Sequence, residues 1–278
     1  MSFEQITLLD PKMDFIFKKL MENPVLLLDF LKSVLSKTEG EIISAEILNP
    51  ITKKEFLKDK FSILDVKVKT ADGRIINVEI QKKDEKNMSK RTLFHWSKMY
   101  GEEIVEGEDY RRLPKTICIN ILDFNYLETE ENFHNIYRLL NTHSKRELKE
   151  STIEIHFIEL KKYQGDSSKD ESDGLKAWVE FLNEPELSFS KRNPTIKTAI
   201  ETLRHLSCDK ETQELYKLRK DALDEGKRQL NSKFSEGVEE GVRLSIKAVL
   251  DVFTDEEISE RFNCHIESVR EIRKGNNN

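Results

Sequence analysis

The sequence predicts an α/β fold that continues into an α-helical C-terminal extension. Helical and strand patterns alternate over residues 1–125 in the order helix, strand, hairpin, helix, strand. Two strand patterns in this range flank an Asp-Gly turn, and from Leu175 onward the pattern is helical. A chain of 278 residues is long enough for one large domain or for a core with a helical extension.

The first predicted element is a helix over residues 11–37 that contains a break. Asp10 suits the N-cap position, and Pro11 suits the first helical position because its missing amide hydrogen is not needed there. Pro24 marks a break and a restart, since proline disrupts a helix interior. Residues 41–48 then predict a short extended segment.

A β-hairpin is the central predicted feature. Residues 62–70 and 75–82 alternate apolar and polar side chains and contain many β-branched residues, which is typical of strands with one buried face. Residues 71–74 between them carry the Asp-Gly turn signal. An amphipathic helix over residues 88–105 and a strand over residues 115–124 follow.

The second half of the chain is more helical than the first. We expect four further elements: a helix near 131–140, a strand over 151–160, a polar loop over 165–174 and a long helix over roughly 195–250. This order suggests a domain of residues 1–165 and a helical C-terminal region of residues 175–278.

Glycines recur after glutamate inside the long predicted helix, at Gly226, Gly237 and Gly241. The first two are 11 residues apart, a spacing that keeps them on one helix face. Glycine weakens a helix but permits close approach, so two readings stay open. The glycines either let another helix or chain approach, or belong to an exposed and weakly stable helix.

Residues 254–269 predict a helix, a turn and a second helix. Thr254 and Glu257 match a capping box at the start of the first of these helices. Four apolar residues supply a small seam: Ile258, Phe262, Ile266 and Val269. The pair resembles a DNA-binding helix-turn-helix, and the alternative is a small helical cap or dimerisation element.

Charge and cysteine content limit the class of protein. The formal net charge is −6, and duplex DNA binding usually depends on a basic surface. Residues 1–125 are neutral overall, so the acidic excess falls on the rest of the chain. The cysteines, Cys118, Cys208 and Cys264, lack metal-site spacing and favour a reducing cytoplasm.

Targeting and cofactor motifs are not found in the sequence. The first residues lack the basic and apolar regions of a secretion signal, and the longest apolar stretch, 25–31, is too short to span a bilayer. The chain also lacks Walker A and zinc-hydrolase patterns. We therefore expect a cytoplasmic protein with no membrane anchor and no nucleotide cofactor.

One face of the predicted hairpin carries side chains suited to a metal ion. Because side chains alternate along a strand, Asp65 and Lys67 share a face, and so do Glu79 and Gln81 of the partner strand. Two adjacent carboxylates repel unless a cation lies between them, and hard oxygen ligands suit Mg²⁺ or Mn²⁺. The alternative is an ordinary hairpin with a solvated polar face.

Three motifs follow one another in the first part of the chain. Asp65 and the segment Glu79-Ile80-Gln81 flank the Asp-Gly-Arg turn; residues 10–20 precede them and residues 91–100 follow. These motifs resemble the active-site hairpin and the two neighbouring helices of the recombination-promoting nucleases, the Rpn family of PD-(D/E)xK nucleases. The resemblance covers residues 8–125 well and the C-terminal tail poorly.

The resemblance implies a restriction-endonuclease-like PD-(D/E)xK core, in which helices flank a mixed sheet. It also implies that Mg²⁺, with Mn²⁺ as a possible substitute, binds Asp65, Glu79 and the backbone carbonyl of Ile80. The ion would polarise the scissile phosphate and acidify a bound water. Asp14 resembles an acidic residue that supports such a site, and its alternative is an exposed acid in a first helical turn.

Gln81 departs from the wider superfamily, which usually has lysine at this position, although the Rpn family tolerates glutamine. Glutamine can orient a water but carries no charge. Lys67 is a candidate for a displaced ammonium, and Arg91 is a candidate for phosphate binding from the following helix. For both residues the alternative is a solvated surface cation.

The expected function is a Mg²⁺-dependent DNA endonuclease that acts in recombination, transposition or phage defence. We expect a homodimer that is held partly by the long C-terminal helix. The alternative is a catalytically impaired binding or regulatory protein that keeps the nuclease fold and acts through its helical tail. Gln81 and the acidic tail favour this alternative.

Overall fold

A six-stranded sheet forms the centre of the computed structural model, which describes residues 7–49, 65–165, 171–186 and 193–276. The strands are β1 Ala45–Ile47, β2 Val66–Thr70, β3 Ile75–Gln81, β4 Thr116–Leu122, β5 His134–Arg138 and β6 Ile153–Glu159. They lie in the order β1-β2-β3-β4-β6-β5. The pairs β3–β4 and β4–β6 are parallel and the other three are antiparallel, so the sheet is mixed, as expected.

Eight α-helices lie in the described part of the chain. They are α1 Asp14–Met21, α2 Pro24–Leu35, α3 Met88–Glu102, α4 Asp173–Asn183, α5 Thr195–Cys208, α6 Lys210–Val249, α7 Asp255–Phe262 and α8 Ile266–Asn276. The predicted order of helix, strand, hairpin, helix and strand is confirmed for residues 14–122. Residues 62–64 of the predicted strand and 166–170 of the predicted loop lie outside the described residues.

The hairpin between β2 and β3 turns where the Asp-Gly signal predicts. Gly73 has a φ of +88°, which glycine adopts without steric cost, and its amide donates to the Thr70 carbonyl at 2.9 Å. Arg74 donates to the Asp72 carboxylate at 3.0 Å, and this hydrogen bond is the main reason that the pKa of Asp72 is about 2. The turn therefore fixes the register of the two strands.

Helices cover both faces of the sheet. On one face, Val66, Val68 and Val78 pack in a large core with residues of α1, α2, α4 and α5. On the other face, α3 packs over a smaller cluster that includes Met88, Met99, Cys118 and Leu122. The polar residues of the hairpin therefore face α3, and the apolar ones, except Ile75 in the smaller cluster, face the large core.

The first helix begins later than expected. Met13 is the N-cap residue of α1, which starts at Asp14. Asp10 instead accepts a hydrogen bond from the Lys12 amide at 2.9 Å, within the turn before the helix. The predictions that Asp10 is the cap and that Pro11 is the first helical residue were wrong, because this short side chain closes a local turn.

The predicted helix near 131–140 was wrong. Residues His134–Arg138 form β5, which pairs antiparallel with β6. All seven residues of β6 are buried, so its backbone amides and carbonyls need partners on both sides. The pairing of β5 with the free edge of β6 satisfies these groups and outweighs the local helical pattern.

The long predicted helix over 195–250 is interrupted. Asp209 has an extended conformation, with ψ at 118°, and its carboxylate accepts a hydrogen bond from the Thr212 amide at 2.8 Å. Asp209 thus ends α5 and caps α6. The break near Pro24 is confirmed, because Asn23 accepts from the Val25 amide at 3.0 Å.

The chain divides into two compact units, Met1–Lys217 and Leu218–Asn278. Within the first unit, α4 and α5 contribute Trp178 and Leu203 to the large core. This division into compact units falls inside α6. The predicted domain ranges of 1–165 and 175–278 remain a prediction. Among the described helices, none is both long and apolar enough to cross a membrane.

The second unit ends in the predicted pair of short helices. Thr254 and Glu257 form both hydrogen bonds of the capping box at the start of α7. Ile258 and Val269 are buried together, and Phe262 packs against them. Ile246 and Leu250 of α6 complete this small core, in which Ile266 does not take part.

Candidate active site

The hairpin places the two predicted carboxylates opposite each other. The register pairs Val66 with Val78, and continuing it by one residue sets Asp65 opposite Glu79. Burial raises the pKa of the Cys118 thiol on β4 to about 12, and the negative charges of Glu79 and Asp65 add to this increase. Both carboxylates are therefore close to the same position on the face that α3 covers.

Glu79 is a buried carboxylate with defined donors. Its side chain is 2% exposed, and its Oε1 accepts from Gln81 Nε2 at 2.7 Å and from Arg91 Nε at 2.8 Å. The alternative of a solvated polar face is thus wrong for Glu79. Its second oxygen, Oε2, accepts no hydrogen bond from the described residues and is available to a ligand.

Asn49 fixes the start of β2 next to Asp65. Its Nδ2 donates to the Asp65 carbonyl at 3.2 Å and to Asp65 Oδ1 at 3.4 Å. Its Oδ1 accepts from the Lys67 amide at 2.8 Å. Sequence reasoning did not single out Asn49, because its only signal is its place at the end of an extended segment that pairs with β2.

The two candidate cations occupy different positions. Arg91 reaches the site and donates to Glu79, and its role in phosphate binding stays a prediction. The Lys67 ammonium binds Glu102 Oε2 at 3.0 Å, at the far end of α3. Within the described chain, no ion pair joins Lys67 to Asp65 or Glu79, and a catalytic role for Lys67 stays a prediction.

Asp14 lies near the end of the sheet that carries Glu79. The turn that precedes it is held at the carboxyl ends of β3 and β4, where Lys82 binds Asp10 and Lys12 binds Asp123 at 3.1 Å. Asp14 itself is buried, so its alternative as an exposed helical acid was wrong. Its role in support of the site stays a prediction.

The donor set matches a hard divalent cation in chemistry. Among the described residues, no cluster of three or more His, Cys, Asp and Glu side chains could hold a metal. Mg²⁺ however needs only one or two carboxylates, with waters and substrate phosphate as its other ligands. Asp65 and Glu79 supply two carboxylates. The Ile80 carbonyl points towards β2, because the Gln81 carbonyl points the other way and accepts from the Asp123 amide, just after β4.

A second buried polar cluster lies on the opposite face of the sheet. His134 Nε2 is 2.9 Å from His156 Nδ1, and His156 Nε2 is 2.7 Å from Glu154 Oε1. Glu171 lies 3.2 Å from the other nitrogen of His134, and Arg138 binds Glu154 at 2.7 Å. Sequence reasoning missed this cluster, since β5 was expected to be helical.

The cluster is expected to make stability depend on pH. Burial lowers the pKa of His156 below its ordinary 6.5 despite the Glu154 hydrogen bond, so the unfolded chain binds a proton first as the pH falls. Burial raises the pKa of Glu154, but His156 and Lys115 lower it below its ordinary 4.5. The free energy of unfolding should therefore decrease on acidification, first below pH 6.5 and again below pH 4.5.

Thermal unfolding followed by circular dichroism at pH 8 to 4 measures this dependence, and each unit of pKa difference corresponds to about 1.4 kcal/mol. His156→Gln removes the titrating ring and should flatten the curve around pH 6. An unfolding midpoint that is constant or rises between pH 7 and 5 would contradict the assignment of a neutral, buried His156.

A mixed sheet with flanking helices, and a hairpin that sets Asp65 opposite Glu79-Ile80-Gln81, define the fold of PD-(D/E)XK nucleases. The family model of the PD-(D/E)XK nuclease family transposases matches residues 11–232, and the chain belongs to this family. Membership assigns a nuclease-like or transposase-like function, in a fold whose nucleases typically use divalent metal ions. Comparisons with curated proteins and with solved structures give no match.

Proposed function

We propose that this protein is a Mg²⁺-dependent DNA endonuclease, with Mn²⁺ as a possible substitute, that hydrolyses phosphodiester bonds in recombination, transposition or phage defence. The observation that carries the proposal is the buried Glu79 carboxylate, opposite Asp65 in the hairpin register and hydrogen-bonded to Gln81 and Arg91. Burial of a carboxylate is unfavourable unless it is paired or binds a cation. The transposase family of the chain supports the link to mobile DNA.

Asp65, Glu79 and the Ile80 carbonyl would hold the ion. When bound, the metal would polarise the scissile phosphate and lower the pKa of a bound water. Each of the two carboxylates has one oxygen that accepts no hydrogen bond from the described residues. These two oxygens could bind the ion while the existing hydrogen bonds of Asp65 and Glu79 are kept. Asp14, at the same end of the sheet, would support this arrangement.

Gln81 and Arg91 would position the reacting groups. Gln81 Nε2 donates to Glu79, which leaves its side-chain carbonyl to accept a hydrogen bond from the attacking water. Arg91 donates to Glu79 through Nε, so its terminal nitrogens, of which Nη1 lies 3.9 Å from Glu85 Oε2, can donate to a phosphate oxygen. Lys67 would need to leave Glu102 before it could offset negative charge in the site.

Nicking of supercoiled plasmid tests the proposal. Wild-type protein with Mg²⁺ or Mn²⁺ should convert supercoiled plasmid to open circles, and EDTA or Asp65→Ala should abolish the conversion, because either removes the metal site. Glu46→Gln on β1 is a matched control, since it removes an exposed carboxylate from the same sheet. If well-folded wild-type protein does not nick DNA with any metal ion, the proposal of an endonuclease is wrong.

The second candidate function is a binding or regulatory protein with an inactive nuclease fold. Two observations favour it: Gln81 replaces the usual lysine, and Arg91 already neutralises Glu79. This candidate would be supported if truncation after residue 217 abolishes the effect of the protein in cells and Asp65→Ala does not. Both candidate functions are compatible with the proposed homodimer. Light scattering would measure its mass in solution.

A further inference from the structure

The outward face of α3 carries an exposed aromatic ring between two lysines. Lys90, Phe94 and Lys98 follow one another at intervals of four residues, so they project from one side of the helix. The Phe94 side chain is 66% exposed, although large aromatic side chains are usually buried. The opposite side of α3 packs on the sheet through three buried residues: Met88, Thr92 and Met99.

This face lies next to the candidate active site. Arg91, which binds Glu79 at 2.8 Å, precedes Phe94 by three residues, or about 4.5 Å along the helix axis. Thr92 donates to Asn120 at 3.0 Å, and Asn120 is the register partner of Glu79 on β4. The first turns of α3 therefore pass over β3, which carries Glu79, and over its neighbour β4.

The charge around Phe94 suits an anionic partner. Residues 82–98 contain six Lys and Arg against two Asp and Glu, in a chain whose formal net charge is −6. Lys83, Lys90 and Lys98 form no ion pair with any residue in the described ranges, and all are exposed. Proteins bind single-stranded nucleic acid through such a combination, in which basic side chains contact the phosphates and an exposed aromatic ring stacks on a base.

We propose that Phe94 stacks on an unpaired base of the DNA, while Lys90 and Lys98 bind the phosphates on either side of it. This rests on the proposed function and narrows its substrate to single-stranded DNA or to duplex with locally unpaired bases. In an intact duplex each base is covered by its neighbours, so a surface ring has no base face to contact. Two lysines without the ring would bind both forms.

Binding to a fluorescein-labelled oligothymidine of about 12 nucleotides tests the proposal by fluorescence anisotropy in EDTA. Phe94→Ala should weaken binding by about 5- to 150-fold, and Phe94→Trp should restore it. An oligomer of abasic sites has the same phosphates but no bases, so Phe94→Ala should leave its affinity unchanged. Lys90→Gln and Lys98→Gln should weaken binding to both strands and reduce the salt dependence.

Leu93→Ala is the matched control, because Leu93 is a neighbouring exposed apolar residue, 49% exposed, and should bind as wild type does. Equal affinity of Phe94→Ala and wild type for oligothymidine would overturn the proposal, and so would an equal loss on the abasic strand. Since EDTA prevents metal-dependent cleavage, the assay is independent of nicking. If Phe94 contributes to binding as expected but the wild-type protein nicks no DNA, only the endonuclease proposal is rejected.

Discussion

Replacement of Glu79 by glutamine is expected to lower metal-dependent DNA cleavage about a thousandfold. The change removes one of two carboxylates that would hold the ion, and charge stabilisation by a metal contributes several kcal/mol to the transition state. Glutamine keeps the shape of the side chain, and its oxygen can still accept from Gln81 and Arg91. Rates of plasmid nicking under saturating Mg²⁺ give the comparison.

Glu159→Gln is the matched control for this substitution. Glu159 is also a fully buried glutamate at the end of a strand, where it accepts from the Tyr126 amide at 2.6 Å and binds Lys162 at 2.9 Å. It should lose stability but retain cleavage at a temperature where the fold is intact. If both variants lose cleavage only in proportion to unfolding, Glu79 has no direct role in the reaction.

The hairpin could be predicted from sequence because its signals are local. Alternation of apolar residues, the Asp-Gly pair and the Glu79-Ile80-Gln81 segment all lie within 20 residues of one another. Strand alternation alone puts Asp65 and Glu79 on the polar face. What it could not show is that α3 buries this face, since burial of Glu79 depends on where a later helix packs.

Contacts between distant parts of the chain account for most of what was missed. Asn49 reaches Asp65 only because β1 pairs with β2, and His134 meets His156 only because β5 pairs with β6. The helical pattern of residues 131–140 was a real local preference that strand pairing outweighed. Buried polar groups of this kind leave no periodic signal, because a side chain 22 residues away supplies the partner.

Capping shows the same contrast. Thr254 was predicted as a cap, and both hydrogen bonds of its capping box are present, since the two residues are only three apart in sequence. Asp10 has an equally good cap residue type, but Lys82 from the end of β3 binds its carboxylate. A residue type therefore predicts a cap only where neither another local turn, here the Lys12 amide bonded to Asp10, nor a tertiary contact engages the side chain.

Trp178→Ala is expected to lower the free energy of unfolding by about 3–5 kcal/mol. The ring is fully buried, contacts Phe30 edge-on at 5.4 Å and Phe181 at 5.8 Å, and donates to Asp29 at 2.8 Å. Removing it creates a cavity between α2 and α4. Trp178→Phe should lose much less, because most of the aromatic packing remains and Asp29 still accepts from Asn193 at 2.6 Å.

Urea unfolding followed by far-UV circular dichroism, with nicking measured in parallel, shows how far this effect extends. Because α4 shares its core with α1, α2 and the sheet, loss of Trp178 should destabilise the strands that carry Asp65 and Glu79, and both signals should fall at the same urea concentration. A nuclease core that kept its midpoint in Trp178→Ala would instead be independent of α4. In that case a fragment ending near residue 165 should fold and cleave by itself, whereas shared packing predicts that such a fragment unfolds.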